Sequence, residues 1–539
     1  MKRRSFIKTG ALATIPFALN GIPVMASSQI DSQSLDTLAN AAANCGKVLV
    51  VIQMNGGNDG LNTVFPIDKW DNMVNARSNI LMNQSSVLNL NNNPTTGFHP
   101  AMPEMKNLYD NGKLMIVQGV SYPNPNYSHF RATDIWFTAS NSNQNLDSGW
   151  IGRSLNKLYP NFPAAYPNSD MPDPLAIQIG ATLPFSLQGP NINMGYSAPD
   201  PNSLVNVINQ ITDPPSNSDY GSELTFLRLM KDQSNVYRSA IQNAYNVAQT
   251  SQTVTYPTNN SLASQLRIVA KLINGGLKTP IYIVNHPGSH DTHENQVDVN
   301  NKTIGKQADN LSILSKSIGA FQQDLEFMGK ANMVTGMTFS EFGRRIKSNG
   351  SLGTDHGSGA PVIFFGAALN TSQSNVAGTA YPISGMIGSS PDLPLNATVN
   401  NQVPMQFEFK QLYATVMQDW LCMTEAQTND VLGGTYSKLP IFNNTLLSTT
   451  NFELEDNNFV SVFPNPVTDK ILNLQFNDTV IDALNIQIYS IQGAEIFNKN
   501  FTVINSTLRF EVFNFKASGI YIMQINYNQN KFYKKIIVP

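Results

Sequence analysis

The sequence predicts an α/β protein whose mostly parallel sheet is covered on both faces by helices, followed by a small antiparallel β-sandwich. Three observations predict it. Short, wholly apolar runs recur through the first four-fifths of the chain, as strands buried on both faces require. Amphipathic helical patterns stand between those runs. After Leu447 the pattern changes to short segments that alternate apolar and polar residues with period two.

The elements follow in order. Lys47–Met54 (KVLVVIQM) reads as a buried strand, and Leu114–Val117, Ile281–Val284, Val334–Phe339 and Val362–Phe365 read as further core strands. Leu262, Leu266, Val269 and Ile273 mark one face of a helix that stops at Gly275-Gly276. Leu311, Leu314, Ile318, Phe321, Leu325 and Met328 mark a helix that runs into the Val334 strand, and Phe409, Leu412, Val416 and Trp420 mark another. No repeat of fixed period is visible.

Composition narrows the function. Charged residues are 13% of the 539 and the formal charge is −3, so no basic field exists to draw in nucleic acid. Cys45 and Cys422 are the only cysteines and could form at most one disulfide, which excludes a cysteine-ligated zinc or iron–sulfur site. A metal here must be held by oxygen and imidazole.

Both ends read as export signals. Arg3-Arg4, an apolar stretch from Ala11 to Leu19 broken by Pro16, and Val24-Met25-Ala26 resemble a twin-arginine signal peptide over 1–26, too short to remain as a membrane anchor. The α/β domain is expected over 47–447, a linker over 448–456 and the sandwich over 457–539. In the last of these, Phe463-Pro464-Asn465-Pro466, Gly519-Ile520-Tyr521 and Lys534-Lys535-Ile536-Ile537-Val538 resemble the C-terminal sorting domain of type IX secretion substrates. That resemblance implies passage through the periplasm, contact with the type IX machinery, and delivery to the cell surface or the medium.

Five polar loops follow or precede the core strands, where open α/β sheets bind ligands. Asn55–Asn62 (NGGNDGLN) offers Asp59, with glycines that let backbone approach a ligand. Tyr122–Arg131 opens a helix with Ser128-His129-Phe130-Arg131, where a hydroxyl among unpaired amides suits a nucleophile or an anion contact and Arg131 can neutralise charge; a capping Ser beside a locally packed His is the plainer alternative. His286–Gln296 holds three of the six histidines within eight residues, and Asp291 and His293, two apart, can face one cation. Ser340–Arg345 offers Glu341 and Arg344, and Gly353–Gly359 offers Asp355-His356 between glycines. Gly-Lys-Ser/Thr and Gly-x-Ser-x-Gly are both absent, against a nucleotide-binding P-loop and a serine-hydrolase elbow.

The phrases Gly56–Asn62, Ser128–Arg131, Asp291–Gln296, Phe339–Arg345 and Thr354–Gly357 resemble the family called domain of unknown function 1501, which is placed with the alkaline phosphatase and sulfatase superfamily. The resemblance implies an alkaline-phosphatase-like sheet and a two-metal site. It implies Asp59, Asp291, His293, Asp355 and His356 as ligands of divalent cations (zinc, manganese or calcium) and Ser128 as the nucleophile; beside these, the loops themselves offer His129 and Glu341 as further expected catalytic groups and Arg131 and Arg344 as expected substrate-binding groups. The expected activity is hydrolysis of phosphate or sulfate esters of small molecules or glycans; the alternative is an inactive hydrolase-fold protein that binds without cleaving.

Overall fold

Strand Val48–Gln53 is buried along its whole length because both of its faces meet helices. Leu49 and Val51 enter one apolar cluster, and Val48, Val50 and Ile52 enter another on the opposite face. The computed structural model describes residues 46–205, 219–248, 254–371, 385–443, 460–467, 470–476, 482–490, 495–503, 506–512, 515, 519–527 and 530–538, with the backbone of 17–19 and 22–24.

In chain order the strands that matter are β1 (Val48–Gln53), β2 (Leu114–Ser121), β3 (Ala176–Gln178), β4 (Tyr196–Ser197), β5 (Ile281–Asn285), β6 (Val334–Phe339), β7 (Gly343–Ser348), β8 (Thr354–Gly357), β9 (Ala360–Phe365), β10 (Met386–Ile387) and β11 (Phe407–Glu408). The central sheet runs β10-β2-β9-β6-β1-β5-β3-β4, with β11 also on β2. All its pairings are parallel except those of β9, which lies antiparallel to both β6 and β2. The mostly parallel α/β sheet expected from the apolar runs is therefore present. β7 and β8 form a separate antiparallel hairpin.

Helices α1 (His129–Thr138), α2 (Trp150–Leu158), α3 (Ser261–Asn274), α4 (Lys306–Phe327) and α5 (Phe409–Thr415) follow the spacing of their apolar residues. Trp136, Trp150 and Phe409, from α1, α2 and α5, pack on one sheet face. Leu266 and Val269 of α3 and Leu314, Ile318 and Phe321 of α4 pack on the other. The helix expected from Phe409 to Trp420 changes to π-helical winding at Val416–Trp420, which leaves the Trp420 indole donating to the Val48 carbonyl at 2.9 Å.

Residues Asn444–Pro539 form a second compact unit. One sheet pairs Val460–Phe463, Ile471–Phe476 and Thr507–Glu511; the other runs Glu495–Val503, Asp482–Ser490, Gly519–Tyr527 and Asn530–Val538, all antiparallel. Their inward residues, Leu472, Leu474, Ile486, Ile488, Met523, Ile525 and Ile536, share one core. Cleavage at Ala26 and the 448–456 linker fall outside the described residues, as does the twin-arginine pair. Among the described residues no helix is long and apolar enough to cross a membrane.

Cys422 is disulfide-bonded, and the chain's only other cysteine is Cys45, outside the described residues. A crosslink between such distant positions restricts the unfolded chain by about 6 kcal/mol in the chain-entropy account. Reduction, or Cys422→Ser, is expected to lower Tm by several degrees in scanning fluorimetry, with no change on adding reductant to the variant.

Candidate metal centre

The topology explains why distant loops meet. β1, β5, β6 and β2 all point the same way, so their carboxyl ends lie on one edge of the sheet, and β9, running oppositely, begins there. Residues 54–59, 122–129, 286–296, 340–341 and 354–359 therefore converge. Gly56 shows how closely. At φ +111°, a Cβ there would lie 2.4 Å from the Asp291 backbone nitrogen, so only glycine lets the first loop pass beneath the His-rich one. The glycines of that loop thus serve contact between protein segments.

Arg344 locks these segments from below. Its guanidinium is buried and donates to the carbonyls of Gly57 (2.7 Å), Thr354 (2.8 Å) and His290 (3.1 Å), to that of Gly56, and to Asp291 Oδ1 at 2.7 Å. Expected to bind substrate, Arg344 instead holds Asp291. Burial pushes the Asp291 carboxyl up, but Arg344 together with the His356 and His293 imidazoles outweighs this and holds it below the usual range.

Three imidazoles surround Asp291, and the tautomer of each is fixed from outside. His129 Nδ1 faces Glu341 Oε1 at 2.8 Å, His293 Nδ1 faces Asp355 Oδ1 at 3.0 Å, and His356 Nδ1 faces the Tyr127 carbonyl at 2.8 Å. Carboxylates and carbonyls only accept, so each Nδ1 is the donor and each neutral ring keeps its lone pair on Nε2. Those Nε2 atoms point inward. His356 Nε2 is 2.9 Å from His293 Nε2 and 3.3 Å from Asp291 Oδ1; His293 Nε2 is 3.2 Å from the same oxygen; His129 Nε2 is 3.5 Å from Asp291 Oδ2. One ligating atom each from His129, Asp291 and His356 lies within 4.8 Å of the others. Burial lowers the His356 pKa, and the nearby Arg344 charge adds to that, which favours the neutral, ligating form.

The outer partners are themselves held. Glu341 is buried, and its Oε1 also accepts the Gly56 N–H at 2.8 Å, while the Trp136 indole donates to its backbone carbonyl at 3.1 Å. Ser340 Oγ accepts the Asn58 N–H at 3.0 Å and donates to the Met54 carbonyl at 2.7 Å, fastening β6 to β1. Burial raises the Asp355 carboxyl, but hydrogen bonds from His293 and Asn349 and the charges of His293 and Arg345 bring it below the usual range. Glu341 and Asp355 thus orient imidazoles, whereas the sequence suggested catalysis for one and ligation for the other. His129 and His356 converge with Asp291 and His293 from elements more than 200 residues apart.

Three expected site residues lie elsewhere. Asp59 is fully buried, with both oxygens accepting from Arg77 Nη1 at 2.9 and 2.8 Å and Oδ2 also accepting from Gln296 at 2.6 Å. A guanidinium occupies the cation's place there, and an Asp so paired has no oxygen turned to the imidazoles. Arg131 bonds to Asp134 and to the carbonyls of Asn141, Ser142 and Gln144, so it braces the end of its own helix. Ser128 stands at the N-cap of α1 but makes no side-chain cap bond; it is exposed, and among the described residues its Oγ has no partner. Sequence reading missed Arg77, Gln296, Asn349 and the Tyr127 carbonyl. A backbone acceptor leaves no signal in a sequence, and Arg77 sits at the end of an unremarkable short helix.

Fold and cluster together define an α/β protein with a histidine–carboxylate centre at the carboxyl edge of its sheet. Residues 118–432, more than half the chain, match the family described as Protein of unknown function (DUF1501), and the chain belongs to that family. Residues 461–539 match the Secretion system C-terminal sorting domain, which directs export through the type IX system to the cell surface or the extracellular space. No curated protein matches the chain. Solved structures show low similarity. PsFucS1 sulfatase from Pseudoalteromonas sp. is 10% identical, with 91% of this chain and 89% of that one covered and a TM-score of 0.27. A Bacteroides thetaiotaomicron protein of glycosaminoglycan metabolism is 9% identical, with 85% and 90% covered and a TM-score of 0.31. Dimeric latent PorU from Porphyromonas gingivalis is 18% identical over 15% of this chain, which spans only 9% of its length (TM-score 0.13).

Proposed function

We propose that the chain is an exported metal-dependent hydrolase of phosphate or sulfate esters that works with a single divalent cation held by His129, Asp291 and His356. The observation that supports this is the convergence of Nε2 lone pairs on Asp291, each imidazole having its Nδ1–H committed to an acceptor outside the cluster. Lone pairs and a carboxylate crowded together call for a cation among them. The mixed nitrogen and oxygen donors suit zinc or manganese; calcium, which prefers an all-oxygen cage, suits them poorly. The pairing of Asp59 with Arg77 argues for one ion where the superfamily resemblance implied two.

A divalent cation at this centre would draw an anionic substrate and acidify water. The chain's own groups do the rest. His293 is half-exposed, its ring is oriented by Asp355, and its Nε2 faces the cluster, so we assign it the proton taken from the attacking water. Arg344 keeps Asp291 ionised and in place. Ser128, whose Oγ has no base beside it among the described residues, is not needed as nucleophile. The mature chain would begin after the twin-arginine-like signal, near residue 27, with a linker over 448–456 before the sorting domain; N-terminal sequencing of the secreted protein checks the first boundary.

The test combines metal analysis with turnover. The full-length mature chain should carry one equivalent of zinc or manganese and release nitrophenol from nitrophenyl phosphates or nitrophenyl sulfate. His356→Ala should lose metal and activity together, and His293→Gln should keep the metal but lose kcat. Metal retention without turnover of any ester would favour the alternative, an exported hydrolase-fold protein that binds without cleaving.

A further inference from the structure

We propose that Gln296 is a positioning residue: by holding Thr292 and Thr354 on one amide oxygen, it sets His293 against Asp355 and His356. This rests on the reading of His129, Asp291 and His356 as a cation site with His293 as its base. Gln296, Thr292 and Thr354 are all fully buried. Thr292 Oγ1 donates to Gln296 Oε1 at 3.0 Å, and Thr354 Oγ1 donates to the same oxygen at 2.7 Å. Each threonine immediately precedes a residue of the centre, Thr292 before His293 and Thr354 before Asp355-His356. The two segments also touch directly. The Thr354 N–H donates to the Thr292 carbonyl at 3.1 Å, and a Cβ on Gly353 would lie 2.2 Å from the His293 carbonyl oxygen.

The amide serves both hydroxyls because its oxygen faces them, and Asp59 fixes that orientation. Gln296 Nε2 donates to Asp59 Oδ2 at 2.6 Å, and a carboxylate held by Arg77 only accepts, so a flipped amide would set oxygen against oxygen. The buried ion pair that looks like a metal ligand in the sequence thus acts on the centre at one remove. Backbone bonds hold Gln296 itself: its N–H donates to the Leu352 carbonyl at 2.9 Å, and its carbonyl accepts the Gln307 N–H at 3.1 Å. On the outer side Asn349 Nδ2 donates to the His293 carbonyl at 2.8 Å and to Asp355 Oδ1 at 3.2 Å. His293 and Asp355 therefore sit between an inner amide and an outer one. The half-exposed His293 ring keeps its Nδ1 at 3.0 Å from Asp355 while the two segments hold their spacing.

The zinc-loaded full chain, labelled with nitrogen-15 histidine, tests this with or without turnover, because six histidines give a readable set of ring signals in magnetic resonance. In the unaltered chain His293 should show the Nδ1–H tautomer alone. Gln296→Met keeps the length of the side chain and loses its hydrogen bonds. It should move the His293 signal to an average of the two tautomers, with the His129 and His356 signals unchanged and one equivalent of zinc still bound. With a nitrophenyl ester it should lose about a hundredfold in kcat at unchanged KM, the scale of a catalytic group misplaced by about 1 Å. Thr354→Ser, which keeps the hydroxyl, should retain both the signal and kcat. An unchanged His293 signal in Gln296→Met, or activity lost only in proportion to zinc, would overturn the positioning role. A chain that takes up no zinc fails the cation reading instead, and its ring signals still decide whether Gln296 holds His293.

Discussion

Asp291→Ala is expected to abolish metal retention, and with it any turnover, far more completely than Glu341→Gln. Asp291 is the one carboxylate amid the converging Nε2 atoms, and it is also the anion that neutralises the buried Arg344. Its removal leaves imidazoles beside an uncompensated guanidinium, which repels the cation they would otherwise bind. Glu341 acts one step further out. A single oxygen, Oε1, accepts both the Gly56 N–H and His129 Nδ1–H, each at 2.8 Å, and a glutamine carbonyl can take over both roles. What that change removes is the carboxylate charge behind the His129 Nδ1–H, and loss of such an outer partner typically costs about 10–100-fold in metal affinity. Chelator competition on the two variants reads the difference. Equal losses would mean that Glu341 is itself a ligand.

The elements were legible because strands buried on both faces must be apolar along their whole length, and helices against a sheet must repeat every three to four residues. Val334–Phe339 and the Leu311–Leu325 stripe of α4 needed nothing more. The convergence of the five loops was legible too, since parallel strands place their following loops on one edge. The division of labour within the cluster was not. Asp355-His356 reads as two adjacent ligands, but successive residues of strand β8 point to opposite sides, so His356 turns inward while Asp355 reaches around to His293. Ser128 draws attention at a helix start, yet the group of that loop that faces Asp291 is its neighbour His129. Asp59 looks like a ligand because nothing in a sequence tells a carboxylate paired with an arginine from one awaiting a metal.

That last ambiguity yields the second large effect. Arg77→Met is expected to destabilise the α/β unit by about 3–5 kcal/mol, the cost of leaving one partner of a buried ion pair behind. Asp59 has no exposure from which to recruit water, and Gln296 alone cannot neutralise it. Arg77 also joins the Ile346 carbonyl at 2.8 Å and the Arg345 carbonyl at 2.5 Å, so the loss reaches β7 and, through its hairpin, His356. Adding Asp59→Leu to Arg77→Met should recover much of the stability in urea unfolding, because an apolar pair of similar volume avoids the desolvation of both charges. The double variant should still bind one equivalent of metal, since the charges it lacks cancelled each other. Loss of the metal from a well-folded double variant would instead return Asp59 to the ligand set and Arg77 to the role of a competitor for its carboxylate.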